Sequence, residues 1–225
     1  MSESMEQISA RSREEILQKV AKGYKDATFK FEDSVNPVGH ILTDDADCLG
    51  EMKRKMAENK YEVEEYDGGE AGLAEKINEI VARYDGFSSF IYGKGLDANL
   101  VEAVKAEKKT CFDKEIEALR ETVFHTDFSV VKARFGISSH GTAMILSSPE
   151  QPRMLSLAPM LLIVLLKKED VVKSMVEALN AVKKESDGKL PSNMLFVAGP
   201  SRTADIELVT VFGVHGSQKA HIIVY

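Results

Sequence analysis

The chain has 225 residues, 44% of them hydrophobic and 29% charged, with a formal net charge of −7. That length suits one large α/β domain with a small helical appendage, and it buries a substantial core without disulfide or metal staples. The acidic balance argues against a nucleic-acid surface. The longest apolar run, residues 157–166, is broken by Pro159 and is far shorter than the ~20 residues that cross a bilayer.

The opening Met1-Ser2-Glu3-Ser4 is polar and acidic with no apolar signal segment behind it, so the expected compartment is the cytoplasm. Two cysteines, Cys48 and Cys111, support neither a disulfide framework nor a four-cysteine cluster site. The histidines (His40, His125, His140, His215 and His221) lack the spacing of zinc ligands. No metal and no cofactor of its own is expected for this chain.

From the N-terminus, Ile16, Val20 and Tyr24 repeat at helical spacing, with Ser12 and Glu15 placed as a capping box. Residues 1–26 therefore read as a helical arm. Residues 27–41, containing Pro37 and Gly39, read as a linker, and residues 27–225 as the main domain. Asp44 or Asp45 is the expected cap of a helix whose Leu49, Met52 and Met56 share a face. Its Lys53-Arg54-Lys55 cluster reads as solvated surface. Residues 61–66 alternate as a strand, Asp67-Gly68-Gly69 turns, and Leu73, Ile77, Ile80, Val81 and Tyr84 mark an amphipathic helix. A strand at 88–92, a helix through Leu96, Leu100 and Val104, and a strand at 109–112 follow. Such alternation indicates crossover units and a largely parallel sheet.

The second half adds antiparallel character, with residues 137–139 and 142–147 flanking His140-Gly141 as a hairpin. Residues 160–166 form a continuous apolar strand, the pattern of one buried on both faces. Val172, Met175, Val176, Leu179 and Val182 mark a helix ending near Asp187-Gly188, and strands follow at 193–198 and 220–225. The expected fold is a three-layer α/β/α domain with a mixed, largely parallel sheet. Asp97, Asp113 and Asp127 read as helix caps, and Met144, Met154, Met160 and Met175 as core filling.

The chemically informative segment is Gly199-Pro200-Ser201-Arg202-Thr203-Ala204-Asp205-Ile206-Glu207, directly after a strand. Gly199 admits a ligand close to the backbone, and Ser201 or Thr203 can cap a short helix whose free N–H groups attract anions. Arg202 adds a planar fork for carboxylate or phosphate. An ordinary capped turn accounts for the same residues, with Asp205 and Glu207 complementing the helix dipole. Gly213-Val214-His215-Gly216 could project an imidazole beside this cradle, although loop histidines are commonly bystanders. Arg134 and Arg153 could add positive charge, with surface ion pairs as the commoner fate.

Residues 199–207, followed by Gly-Val-His-Gly at 213–216 and a terminal strand, resemble the LUD-domain family. Gly141-Thr142 matches an upstream hairpin of that family, and Arg153 with Ser156-Leu157-Ala158-Pro159 resembles a second element. Two positions depart from the pattern: Ser139 stands where the family usually has glutamate, and Leu161 where it often has histidine. The resemblance implies a fold of the ribose-phosphate isomerase and coenzyme A transferase-like superfamily. It also implies an accessory role beside iron–sulfur partner subunits in oxidising lactate to pyruvate, with the clusters on the partners. The ligand-binding residues implied are Gly199, Ser201, Arg202, Thr203, Asp205, Glu207, His215, Gly216, Gly141, Thr142 and Arg153, around a small anion. No residue is assigned a catalytic role, and homo-oligomerisation is left open. The alternative is a stand-alone enzyme or binding protein for a phosphorylated or coenzyme A-linked metabolite.

Overall fold

The computed structural model describes residues 5–26, 47–187, 190–204, 210–213 and 216–225. The chain divides into two units, Met1–Val38 and Gly39–Tyr225. The described residues of the first form the helix α1 (Met5–Asp26). Ser12 and Glu15 lie inside it rather than at its start, so they do not form a capping box. The linker expected at 27–41 and the caps expected at Asp44 or Asp45 fall outside the described residues. In the second unit, Asp47 is the residue that caps α2 (Cys48–Glu58), accepting from Gly50 N at 3.0 Å.

A six-stranded sheet forms the frame. In chain order its strands are β1 (Glu62–Glu65), β2 (Ser89–Tyr92), β3 (Lys108–Cys111), β4 (Phe128–Lys132), β7 (Leu161–Leu166) and β12 (Lys219–Val224). They lie side by side as β1-β12-β7-β4-β2-β3, every pairing parallel. Helices α3 (Leu73–Val81), α4 (Ala98–Ala103) and α5 (Ile116–Phe124) supply the crossovers.

The central strand β7 has all six side chains buried. Leu161, Ile163 and Leu165 face the side covered by α3 and α4. Leu162, Val164 and Leu166 face the side covered by α2 and by Val123 of α5. Period-two alternation explains the division, and burial on both faces explains why the run is continuously apolar.

The hairpin strands build a separate four-stranded mixed sheet instead of joining the parallel one, antiparallel except for the β5–β8 pair. It comprises β5 (Phe135–Ile137), β6 (Thr142–Leu146), β8 (Val171–Val172) and β9 (Met194–Val197), in the order β8-β5-β6-β9. Ala143 and Ile145 of β6 pack toward the main sheet. Met144 points the other way, with Phe135 and Ile137, onto α6 (Met175–Glu185). A capping box of Ser174 and Glu177 starts α6. A two-stranded ribbon, β10 (Arg202–Ala204) with β11 (Thr210–Phe212), completes the architecture.

Several sequence expectations are corrected here. Asp127 caps no helix. Its carboxylate accepts from Ser88 N and Ser89 N at 3.0 and 2.8 Å, tying the start of β2 to β4. Burial would raise its pKa, but these bonds and that from the Ser89 hydroxyl hold it below the ordinary value. β4 itself escaped the sequence reading. Asp113 does not cap either, because α5 begins after Glu115 without a side-chain cap. Asp97 does cap α4. Met144 is buried as expected, whereas Met160 is 43% exposed. Arg134 is held by Asp170 and Glu185, the structural fate.

His221 of β12 is fully buried beside the β1 edge. Its Nε2 is hydrogen-bonded to the Tyr84 hydroxyl at 2.6 Å, and its Nδ1 faces Glu64 at 3.6 Å. Burial lowers its pKa, against the opposing pull of Glu62 and Glu64 and with the help of Arg83. Burial would raise the Glu64 pKa, but Arg83 and Lys76 hold it below the usual range. The folded chain thus favours neutral His221, while an unfolded histidine takes a proton near pH 6.5. Stability from this site is present above that pH and lost as pH falls through the lowered folded pKa. We expect the urea midpoint to fall as pH drops from about 7 to 5. Equilibrium unfolding of His221→Gln across the same range should show a shallower dependence; an unchanged slope would discount His221.

Candidate functional site

Three segments far apart in sequence meet around the C-terminal half of α2. Gly141, at φ 58°, closes the β5–β6 hairpin after the 3-10 turn Ser138–His140. A Cβ there would lie 2.5 Å from Lys55 Cβ and 2.9 Å from Lys55 C, so only glycine admits the α2 backbone so closely. Gly199, at φ 145°, is similarly crowded, its absent Cβ falling 2.6 Å from Asn59 O.

Polar bonds lock this approach. Lys55 Nζ donates to Ser139 O at 2.8 Å, across 84 residues of chain. Asn59 Nδ2 donates to Lys55 O at 3.1 Å, and its Oδ1 accepts from Arg202 Nη2 at 2.8 Å. The basic cluster therefore splits: Lys53 and Arg54 form surface ion pairs with Glu65, Glu51 and Glu58, while Lys55 reaches inward to the hairpin. Asn59 and Lys55 are the positioning residues that sequence reasoning missed. Their one signal was the helical spacing of Lys55 and Asn59, which alone is uninformative.

Beside this clamp lies a cleft of about 300 Å³ near the amino ends of β7 and β12. Ser156, Leu157, Gly199, Ser201, Gly216 and Ser217 contribute to its walls, with Leu162 and β9 residues behind them. Ser201 N donates to Ser217 O at 2.9 Å, and Gly216 lies against the Ser201 side chain. Ser156 Oγ donates to Arg153 O at 2.9 Å. Ser217 lines the cleft, and its buried hydroxyl has no hydrogen-bond partner among the described residues. Ser138 and Thr142 hydroxyls are likewise unpartnered at the hairpin. Leaving such groups buried and unbonded costs about 1–3 kcal/mol each, which a ligand hydrogen bond would offset.

The expected helix after Gly199 is not formed. Residues 202–204 are strand β10 instead, so no helix N-terminus creates an anion cradle there. Nor does the preceding strand belong to the parallel sheet: β9 is an antiparallel edge strand paired to β6. Gly199, Ser201 and Gly216 are brought together as expected, with the Ser156 element beside them. Gly141 and Thr142 sit behind α2, Thr203 lies in β10, and Arg153 is the exposed first residue of a 3-10 turn; none of these lines the cleft. Arg202 is exposed and bonded to a neutral amide. Asp205, Glu207 and His215 lie outside the described residues. Ser139, at the first departure from the family pattern, bonds His140 Nδ1 at 2.7 Å. Leu161, at the second, is core.

Residues 4–225 match the family model described as the LUD domain. An uncharacterized protein of Neisseria meningitidis serogroup B is 37% identical over 115 residues, 50% of this chain and 48% of that protein. Lactate utilization protein C of Shouchella clausii is 35% identical over 99 residues, 44% of this chain and 43% of that protein. The protein of that name from Geobacillus kaustophilus is 30% identical over 190 residues, 82% of this chain and 71% of that protein. The first two matches thus span about half the length of the relative. The crystal structure of a DUF162 family protein from Deinococcus radiodurans, at 17% identity and TM-score 0.59, covers 81% of this chain and 99% of that one. At that identity the likeness shows the fold alone.

The clamp makes a direct prediction. Gly141→Ala should lower stability by about 2–4 kcal/mol, combining a left-handed alanine with the clash on Lys55. Denaturant unfolding checks this, and a loss below about 0.5 kcal/mol would show that α2 does not sit so close.

Proposed function

Because the chain belongs to the LUD domain family, we propose that it is an accessory component of lactate utilization that binds a small anionic ligand at the Ser156–Ser201–Ser217 cleft. Relatives named lactate utilization protein C support the role. The unpartnered Ser217 hydroxyl, buried in a cleft built from the family-like segments, is the observation that carries the ligand.

In this reading the serine hydroxyls and nearby backbone N–H groups hold the carboxylate and hydroxyl or keto oxygen of a small acid. Arg202 stands one residue beyond Ser201 and donates to the neutral Asn59 amide, and in this reading its guanidinium turns to the anion. Redox chemistry is left to iron–sulfur partner proteins working in the cytoplasm. No helix among the described residues is long and apolar enough to cross a membrane.

Thermal melting in lactate, pyruvate and phosphate tests the cleft. A ligand at about a hundred times its Kd stabilises by roughly 2.7 kcal/mol, a shift on the order of 5–10 °C for a chain of this size. The shift should shrink in Ser217→Ala and in Arg202→Ala. No shift with any acid, or one unchanged in both variants, would remove the ligand from this cleft. Copurification from the native organism tests the partner role separately, and isolation without iron–sulfur proteins would count against it.

A further inference from the structure

A second and larger cleft, about 620 Å³, opens at the opposite end of the parallel sheet. It is bounded by the start of α3, by α4 and by residues at the carboxyl ends of β4, β7 and β12: Lys132, Leu165, Lys167 and Tyr225. β7 is six residues long, which places this cleft roughly 15–20 Å from the Ser217 cleft. In open parallel sheets, ligands bind in crevices outside the carboxyl ends of the strands. The volume lies within the roughly 300–1,000 Å³ of small-molecule sites.

We propose that this cleft binds a phosphate monoester, with the phosphate between Lys132 and Lys167 and the organic body over the apolar floor. Lys132 is held in place before any ligand arrives. Gln151 grips both of its backbone groups, accepting from Lys132 N at 2.8 Å and donating to Lys132 O at 3.0 Å. Lys132 Nζ donates to Gly95 O at 3.0 Å and is paired with no carboxylate among the described residues. Lys167 Nζ pairs with Glu70 at 2.9 Å, but Glu70 is an exposed side chain on a 3-10 turn and can swing away. The other acid of the cleft, Asp97, is committed to capping α4.

The floor carries Leu73, Ala74, Leu100 and Leu165, which suit a ring or chain rather than a second charge. Small side chains at Ala71 and Ala103 leave the space open. Two lysines and no arginine line the cleft, and lysine ammoniums act on phosphate as point charges, whereas planar carboxylates favour the arginine fork.

Isothermal titration calorimetry of the full chain with AMP, a hexose phosphate, inorganic phosphate and adenosine tests the assignment. A phosphate monoester should bind more tightly than inorganic phosphate or adenosine, and more weakly as salt rises. Lys132→Met, which removes the charge but keeps the stem, should weaken binding at least about tenfold, as should Ala71→Phe, which fills the mouth from an exposed position. Ser217→Ala should leave it unchanged, separating this site from the cleft tested with lactate. No binding of any monoester at millimolar concentration would overturn the proposal. So would adenosine binding equal to AMP, or binding lost in Ser217→Ala and kept in both folded cleft variants.

Discussion

The domain rests on the complete burial of β7. Six consecutive apolar side chains cannot be left half-wet, so both faces of the strand demand cover. α3 and α4 meet Leu161, Ile163 and Leu165, while α2 and α5 belong to the layer over Leu162, Val164 and Leu166. That second layer is not helical throughout. The β5–β6 hairpin, which lies between β4 and β7 in sequence and is flanked by β8 and β9 in its own sheet, folds back over it, with Ala143 and Ile145 turned to the common core and α6 closing its far side.

α2 ties this folded-back sheet to the core at two further points. Glycine at 141 and at 199 lets the helix backbone approach two loops, and Lys55 and Asn59 hydrogen-bond across the gap. Close approach and polar locking act together, since the bonds are within reach only when no Cβ intervenes. The family-like segments are thereby fixed against a rigid element, and the Ser217 cleft lies beside them.

The two ends of the parallel sheet differ in chemistry. At the amino ends of β7 and β12 the described cleft walls are serines, glycines and apolar residues. At the carboxyl ends a larger cleft carries lysines over an apolar floor. Along the β1 edge, between these ends, His221 is kept neutral by burial and bonded to Tyr84 beside a Glu64 already matched by Lys76 and Arg83. Glu64 is thus ion-paired to Lys76 and Arg83, while the buried His221 Nδ1 makes no hydrogen bond among the described residues.

The amino-acid sequence by itself determined most of the alternating elements, the doubly buried strand read at 160–166, a hairpin turning at His140-Gly141 and the segments that identify the family. These follow from local periodicity and turn chemistry, which act over a few residues. It also led to a helix after Gly199, because Ser, Thr and acidic residues there imitate a capped start. Pairing of residues 202–204 with 210–212 overrode that preference. Only the tertiary structure decided that β9 pairs antiparallel outside the main sheet, that Asp127 joins two strands, and that Lys55 and Asn59 reach residues 139 and 202. The same holds for His221, which long-range strand pairing sets beside Glu62 and Glu64. Each is a contact between residues tens of positions apart, set by which surfaces must be buried together and invisible to any local pattern.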